Sequence, residues 1–327
     1  MEYRVLGDSN ISVSEIGLGC WTLGGLNNKS GHDSGWAPVN PSEAEEAVVL
    51  AIEKGVNHFD NADVYGNGQA EILLANILDR LGEKNEDFII SSKVGFHSDG
   101  PKHAYTPENI RSQCEKSLRN LRRDYIDIYY LHHGDFGEDD RFLEPAAAMM
   151  RKLQKEGKIR LIGQSAYKTS HFEKAVPVLK PTVLQSWAHM MDTKFVVENG
   201  LVGQLLKKNR LSFIAFSPLN QGVLTGKYYG KDAPLFEAGD HRRNSRKFSN
   251  DSLRSIDIKL DALKSRFGDD EFTLPSVALR FILNYPNVAS VIPGFRNRPQ
   301  VEQNLVAVKR ELSGDDMEFI GDLFQTA

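Results

Sequence analysis

Residues 87–133 read DFIISSKVGFHSDGPKHAYTPENIRSQCEKSLRNLRRDYIDIYYLHH. The stretch opens on an apolar run of strand length, DFIIS (87–91), and closes on a second, IDIYYL (126–131). Between them, TPENIRSQCEKSLRNL (106–121) places Ile110, Cys114, Leu118 and Leu121 at the three-to-four-residue spacing of a helix with one apolar stripe. Thr106 and Pro107 supply a capping residue and a pre-set first turn. The strand interiors are continuously apolar, as parallel strands covered on both faces require. The unit is strand, crossover helix, parallel strand. Each strand leads within two residues to a polar side chain, Lys93 after the first and His132 after the second.

The same unit repeats on either side. EIGLG (15–19), VNHF (56–59), IRLIG (159–163), TVLQS (182–186), LSFIAFS (211–217) and ASVIP (289–293) bring the strand candidates to eight, with amphipathic helices between. One helix is expected to start at Ser42, which forms a capping box with Glu45, and to bury Val48, Ala51 and Ile52. The pattern predicts an α/β fold, a closed (β/α)8 TIM barrel in place of an open sheet. Gly7, Asp8 and Asn10 punctuate two short strand-like stretches in residues 1–14, which predicts an N-terminal hairpin over the barrel's base. Residues 226–250 are polar, basic and rich in turn formers, a long loop at a functional end. Residues 313–327 read as an extra C-terminal helix packed outside. No linker, low-complexity tract or solenoid repeat appears, so one domain over residues 1–327 is expected.

The 40% hydrophobic and 26% charged shares are those of a globular chain with ample core. A formal charge of −4 carries no basic excess of the kind that marks nucleic-acid binding. No apolar run approaches the roughly 20 residues that cross a bilayer, and the N-terminus lacks the regions of a signal peptide. Two cysteines without CxxC spacing, Cys20 and Cys114, argue against a disulfide framework or structural zinc and fit a reducing cytoplasm.

Four residue types recur at the ends of the apolar runs. VNHF leads to Asp60 and, after a tight loop, to Tyr65; Lys93 and His132 follow the next two strands. The ends of parallel barrel strands converge on one face, where catalytic groups are displayed. A phenol titrates near 10 and is a sluggish acid at neutral pH. An ammonium at Lys93 would stabilise the phenolate of Tyr65, Asp60 would hold that ammonium in place, and His132 could orient a carbonyl. Each residue also has a plainer reading: a structural ion pair, a surface aromatic, a hydrogen-bonded histidine. The joint pattern at three consecutive strand ends favours the catalytic one.

The stretches FDNADVYGNGQAE, IISSKVG, YIDIYYLHH, GKIRLIGQSAY, FSPLNQGVLTGKY and VIPGFRNRPQVEQNL resemble, in order, the signatures of the aldo-keto reductases over about residues 16–312. The resemblance implies a barrel that binds a nicotinamide cofactor without a Rossmann fold, with Asp60, Tyr65, Lys93 and His132 as the catalytic tetrad. It assigns Ser165 and Gln185 to the nicotinamide carboxamide, and Gly19, Cys20 and Trp21 to the loop along the ribose and the substrate mouth. Ser217, Leu219, Gln221 and Gly222 would follow the pyrophosphate, with Lys227 and Arg242 as phosphate partners. Gly294, Arg296, Gln300 and Asn304 would meet the adenosine end. Pro299 suits a helix first turn, and a helix N-terminus beside Arg296 and Arg298 favours an anion. GFRNRPQ contains no acidic residue to read a free ribose 2′-hydroxyl, so NADP(H) is the expected cofactor.

The chain departs from the family at Ala166, where Asn is frequent, at His133-Gly134, where an aromatic and a proline are frequent, and at Cys20, where Thr is common; Cys20 reads as a small buried hydrophobe. GNGQAE (66–71) lacks the third glycine of a dinucleotide fingerprint, and GVLTGKY (222–228) is one residue short of a P-loop. His97 and His103 lack the carboxylate or cysteine that would complete a metal set, so no metal is expected. The expected activity is reversible reduction of an aldehyde, ketone or sugar carbonyl, with the proton from Tyr65. The alternatives are a Schiff-base lyase using Lys93 and a cofactor-binding regulatory subunit with vestigial activity. Expected partners are a small carbonyl or sugar substrate, with neither nucleic acid nor membrane; a homo-oligomer stays open. Substrate choice falls to loops 22–40 and 97–105, the first of which carries Asn27, Asn28, His32, Asp33 and Trp36.

Overall fold

The computed structural model describes residues 1–29, 32–82, 85–97 and 103–325. The chain opens with an antiparallel hairpin of β1 (Tyr3–Val5) and β2 (Ser12–Ser14), then enters β3 (Leu18–Gly19). A second hairpin, β4 (Leu26–Lys29) with β5 (His32–Gly35), precedes α1 (Pro41–Glu53). Strand and helix then alternate: β6 (His58–Asp60), α2 (Gln69–Leu81), β7 (Ile89–Val94), α3 (Pro107–Leu121), β8 (Ile126–Leu131), α4 (Leu143–Lys155), β9 (Ile159–Ser165), α5 (Thr169–Leu179), β10 (Val183–Trp187), α6 (Leu201–Asn209) and β11 (Ser212–Phe216). Two helices, α7 (Asn250–Phe267) and α8 (Thr273–Leu283), lead to β12 (Val288–Ile292), followed by α9 (Arg298–Leu305) and α10 (Gly314–Phe324).

Eight strands pair in parallel in the order β3, β6, β7, β8, β9, β10, β11, β12. Parallel bridges from Ile16 to Val291 and from Gly19 to Gly294 join the two edges and close the (β/α)8 barrel. Closure removes the unpaired edges of an open sheet. The eight expected strands are the eight barrel strands. The expected terminal helix is α10, whose Ser313 and Asp316 form a capping box. Residues 22–40, read as irregular, instead hold β4 and β5. Neither LNNK nor HDSG has strand character of its own, and the hairpin docks through Gly35 on Gly239 and His241.

Alternation of side chains along each strand decides what faces the barrel's interior. Ile128 and Tyr130 of β8, Leu161 of β9, Val183 of β10, Ile214 of β11 and Ile292 of β12 point inward and form one cluster with Leu6, Ile11 and Val13 of the N-terminal hairpin. The hairpin thus plugs the base, as the turn residues predicted. A Cβ on Gly163 would sit 2.3 Å from the ring of Tyr130, so this glycine makes room for an inward aromatic. The opposite faces of the strands pack on the helices; Ile110, Cys114, Leu118 and Leu121 of α3 are buried there. Helix α8 is buried along its whole length, and its Arg280 makes a two-pronged ion pair with the sealed Glu15, at 2.9 and 3.2 Å.

Two caps differ from expectation. Asn40 caps α1, its Oδ1 accepting from Ser42 N–H at 3.0 Å, because Pro41 fits the first helical position and moves the start two residues earlier. Thr106 stands at the N-cap of α3, but its side chain makes no capping hydrogen bond.

Leu6 is fully buried beneath the barrel. Leu6→Ala is expected to cost about 2–5 kcal/mol in denaturant unfolding, the range for a core leucine. A loss below about 0.5 kcal/mol, typical of surface positions, would show that the hairpin is not part of the core.

Candidate active site

Strand alternation also sets the upper end of the barrel. Asp60 lies two residues above the inward His58, Lys93 above Ser91, His132 above Tyr130, and Gln185 above Val183. Lys93 and Asp60 are sealed there, with side chains 1% and 3% exposed. A buried ammonium is tolerated only when paired and hydrogen-bonded. Lys93 Nζ meets Asp60 Oδ2 at 2.6 Å and donates to the Asn61 carbonyl at 2.6 Å. Its third contact is the Tyr65 hydroxyl at 3.3 Å. Asp60 Oδ1 accepts from Ser91 Oγ at 2.7 Å and from Gln185 Nε2 at 2.9 Å, so the carboxylate is held from β7 and from β10.

Tyr65 is carried by a loop with three successive left-handed residues, Gly66, Asn67 and Gly68 (φ 58°, 56° and 97°). A Cβ on Gly66 would fall 1.9 Å from the Gly24 carbonyl, and only glycine permits that approach. Gly66 N–H also donates to Asn27 Oδ1 at 2.6 Å. The GNG that carries no Rossmann signature is therefore the turn that folds the phenol back over Lys93.

Burial governs the protonation of this group. The Tyr65 phenol is held well above its ordinary 10, first by loss of solvent and then by the negative charge of Asp60. Lys93 was expected to lower it, but its ammonium is already committed to Asp60. Burial likewise lowers Lys93, while Asp60 pulls it back up. His132 is pushed well below the usual histidine value by burial, then by Lys93 and His133, and is neutral. Its ring stands 6.0 Å from that of Tyr65 and 4.7 Å from that of Phe96. The arrangement is a neutral phenol and a neutral imidazole at one opening, backed by a buried ammonium.

That opening is the deep end of a cleft of about 920 Å³. Of the residues singled out in the sequence, Gly19, Trp21, Asp60, Tyr65, His132, Gln185, Ser217, Leu219, Gln221, Gly222, Lys227, Arg242, Gly294, Arg296, Gln300 and Asn304 line it. Cys20, Ser165 and Lys93 do not. Cys20 is fully buried against the core, its thiol pushed above the ordinary range by desolvation. Ser165 is also buried, its hydroxyl without a hydrogen-bond partner among the described residues. Arg298 turns away to pair with Glu302 at 3.0 Å, whereas Arg296 reaches back to the carbonyls of Ala37 and Pro38. His133 braces the wall behind His132, with Nε2 2.6 Å from the Gly95 carbonyl.

Several lining residues escaped the sequence reading. Phe216 and Tyr167 lie two residues beyond the inward Ile214 and Ser165, so counting by twos along β11 and β9 would have found them. Glu43, in the first turn of α1, lines the cleft and acts on Arg296; nothing in its local sequence marks it. The acid missing from GFRNRPQ is thus present at the same end, from another element. Residues 98–102 and the side chains of Asn28, His32 and Asp33 lie outside the described residues. Among the described residues, no group of three or more His, Cys, Asp or Glu could hold a metal, and no helix is long and apolar enough to cross a membrane.

Comparison with known proteins agrees with this architecture. The chain is 26% identical to an NADH-specific methylglyoxal reductase of Escherichia coli K12, over 97% of each protein. It is 28% identical to a probable voltage-gated potassium channel subunit beta of Arabidopsis thaliana, over 94% of this chain and 91% of that one. An aldo-keto reductase of Bacillus halodurans, solved in holo form, superposes with a TM-score of 0.79 at 24% identity, covering 100% of this chain and 97% of that one. The pattern of the Aldo/keto reductase family matches residues 15–323. The chain belongs to the aldo/keto reductase family.

Proposed function

We propose that this protein is an NADP(H)-dependent oxidoreductase that reversibly reduces an aldehyde, ketone or sugar carbonyl, with Asp60, Tyr65, Lys93 and His132 as its catalytic residues. The observation that carries the reading is the 3.3 Å approach of the buried Lys93 ammonium to the Tyr65 hydroxyl at the deep end of a long cleft. A volume near 920 Å³ lies within the range of small-molecule and cofactor sites. At its far end burial, and then the nearby Arg242, lower the proton affinity of Lys227 and of Arg296. Arg242 is paired with Asp240 at 2.6 Å, and Lys227 and Arg296 beside it suit an anion, which a ribose phosphate together with a pyrophosphate would supply. Gly294, Gln300 and Asn304 would hold the adenosine end, and Ser217, Leu219, Gln221 and Gly222 the stretch between. Gln185 at the nicotinamide end would carry the carboxamide contact.

The bound nicotinamide would supply the hydride. The neutral Tyr65 phenol would donate its proton to the carbonyl oxygen as negative charge develops there, and Lys93 would stabilise the phenolate left behind. Asp60 keeps that ammonium charged against the pull of burial. A neutral His132 could offer one N–H to the same oxygen. In oxidation the phenolate would take the alcohol's proton. Trp21, Trp36, Phe96, Tyr167 and Phe216 make the mouth largely aromatic, which suits a small carbonyl compound, sugars included, stacked on a ring face. The Arabidopsis relative's name motivates one other reading, a regulatory subunit that binds the cofactor and turns over slowly; NADPH consumption across aldehydes, ketones and aldoses separates the two.

Tyr65→Phe should lower turnover by about 10²–10⁴-fold, the usual worth of a general acid, with cofactor affinity nearly unchanged. Near-normal turnover would remove Tyr65 from the mechanism. In the unliganded protein, the ultraviolet titration of wild type minus that of Tyr65→Phe should show no phenol ionising by pH 10; a step at or below that value would contradict the site as described. Cofactor preference is checked by tryptophan fluorescence titration with both dinucleotides, and tighter NADH binding would overturn NADP(H), with Glu43 then the first residue to replace.

A further inference from the structure

Two helix N-termini meet at the far end of the cleft. Asn40 caps α1 and Asn297 caps α9, each side-chain oxygen accepting a backbone N–H of its own helix, at 3.0 and 3.2 Å. The two helices pack against each other, and both asparagines line the cleft. Arg296 immediately precedes the second cap. Its Nη2 donates to the carbonyls of Ala37 and Pro38 at 3.0 and 2.5 Å, in the segment that leads into α1. This end therefore presents a guanidinium and the positive ends of two helix dipoles, all of which favour an anion.

Glu43 is the exception. It stands in the first turn of α1 and lines the same end. Among the described residues two carboxylates line the cleft, and the other, Asp60, is engaged by Lys93 at the deep end. Three carboxylates lie close enough to raise the proton affinity of Arg296: Asp240, Glu43 and Glu237. Asp240 is held by Arg242 at 2.9 and 2.6 Å and, like Glu237, does not line the cleft. Glu43 acts on Arg296 through space without a hydrogen bond, so both charges remain available to a ligand. A ribose diol and a 2′-phosphate make opposite demands on such a pair. Hydroxyls donate as well as accept, so a diol can give a hydrogen to Glu43 and take one from Arg296. A phosphate monoester carries about −1.5 to −2 charge at pH 7 and suits cations alone. Arg296 and Lys227 attract it, and Glu43 repels it.

We propose that Glu43 is a specificity-determining residue that keeps the cleft open to both dinucleotides: its carboxylate accepts from the free ribose diol of NAD(H) and repels the 2′-phosphate of NADP(H). This rests on the reading of the cleft as an NADP(H) site and sets how strict that preference is. An acid is the usual reader of a free ribose 2′-hydroxyl, and an arginine the usual partner of a 2′-phosphate. This cleft holds one of each, brought together by the packing of α1 on α9. Glu43 is exposed, so it acts with the modest strength of a surface charge. Arg296 and the two helix ends outweigh it, and NADP(H) stays ahead by a margin that Glu43 narrows.

Trp21 and Trp36 line the cleft, so tryptophan emission reads its occupancy by either nucleotide. Wild type, Glu43→Gln and Glu43→Ala are titrated with NAD⁺ and with NADP⁺. In Glu43→Gln the Kd for NADP⁺ should fall about threefold, within the range for an exposed charge pair. The Kd for NAD⁺ should rise about threefold, the change from a charged to a neutral acceptor. The preference for NADP⁺ then grows by about an order of magnitude. Opposite movements are the diagnostic result, because general damage to the cleft weakens both nucleotides. Glu43→Ala, which leaves no acceptor, should weaken NAD⁺ further while keeping the NADP⁺ gain. NADP⁺ affinity unmoved in both variants overturns the repulsion, NAD⁺ affinity unmoved in both overturns the diol contact, and either outcome sinks the proposal. So do movements of equal size and direction. Wild-type protein that binds NAD⁺ more tightly than NADP⁺ overturns the NADP(H) reading alone, since the opposite movements would still appear. Binding of neither nucleotide overturns the dinucleotide reading and this inference with it.

Discussion

An ammonium sealed inside a closed barrel sets the terms for the whole upper end of this protein. Withdrawing Lys93 from water costs on the order of several kcal/mol unless every donor finds a partner. Asp60 and the Asn61 carbonyl take two of them. The third direction leads to Tyr65, and the backbone between Asp60 and Gly68 has to bend to put it there. The left-handed turn at 66–68 and the close approach of Gly66 to Gly24 follow from that demand. Ser91, on the strand of Lys93, and Gln185, on β10, also hold Asp60, so the ion pair is fixed by three strands rather than one.

The two ends of the barrel are built differently. At the base, Leu6, Ile11 and Val13 close the interior with apolar packing. At the rim the backbone itself is unusual. Non-glycine residues with positive φ fall mostly into two groups. Arg122, Lys180 and Arg210 end α3, α5 and α6, where a left-handed C-cap is ordinary. Asn67, Ser217, Asn220 and Gln221 lie in the loops around the cleft. Strain of this kind persists where the surroundings over-determine it, and two of these residues, Ser217 and Gln221, line the cleft.

Relatives that cover nearly the whole chain at 26–28% identity carry names as different as a methylglyoxal reductase and a channel subunit. A barrel of this kind fixes where strand ends converge and leaves the rims free to vary. In this chain the rims supply Trp21, Trp36 and Arg242 to the cleft and meet each other through His241. The guanidinium of Arg242 lies 4.5 Å over Trp36 and 4.3 Å over Phe236, packing that ties a cationic group of the cleft to the aromatic roof.

Much of this was legible in the amino-acid order alone. Continuous apolar runs such as IDIYYL, separated by amphipathic helices such as 106–121, announce parallel strands and their crossovers because burial on one or both faces is a local, periodic property. Position at a strand end then marks Asp60, Lys93 and His132 as inward and upward. Tertiary structure alone decided which distant side chains share one opening. Glu43 enters beside Arg296, Cys20 and Ser165 withdraw into the core, and His241 meets the Gly35 carbonyl 206 positions away. No local pattern encodes those meetings. They follow from closing a ring, which sets the segment after β3 against the segment after β11 and lets burial, not sequence distance, choose the partners.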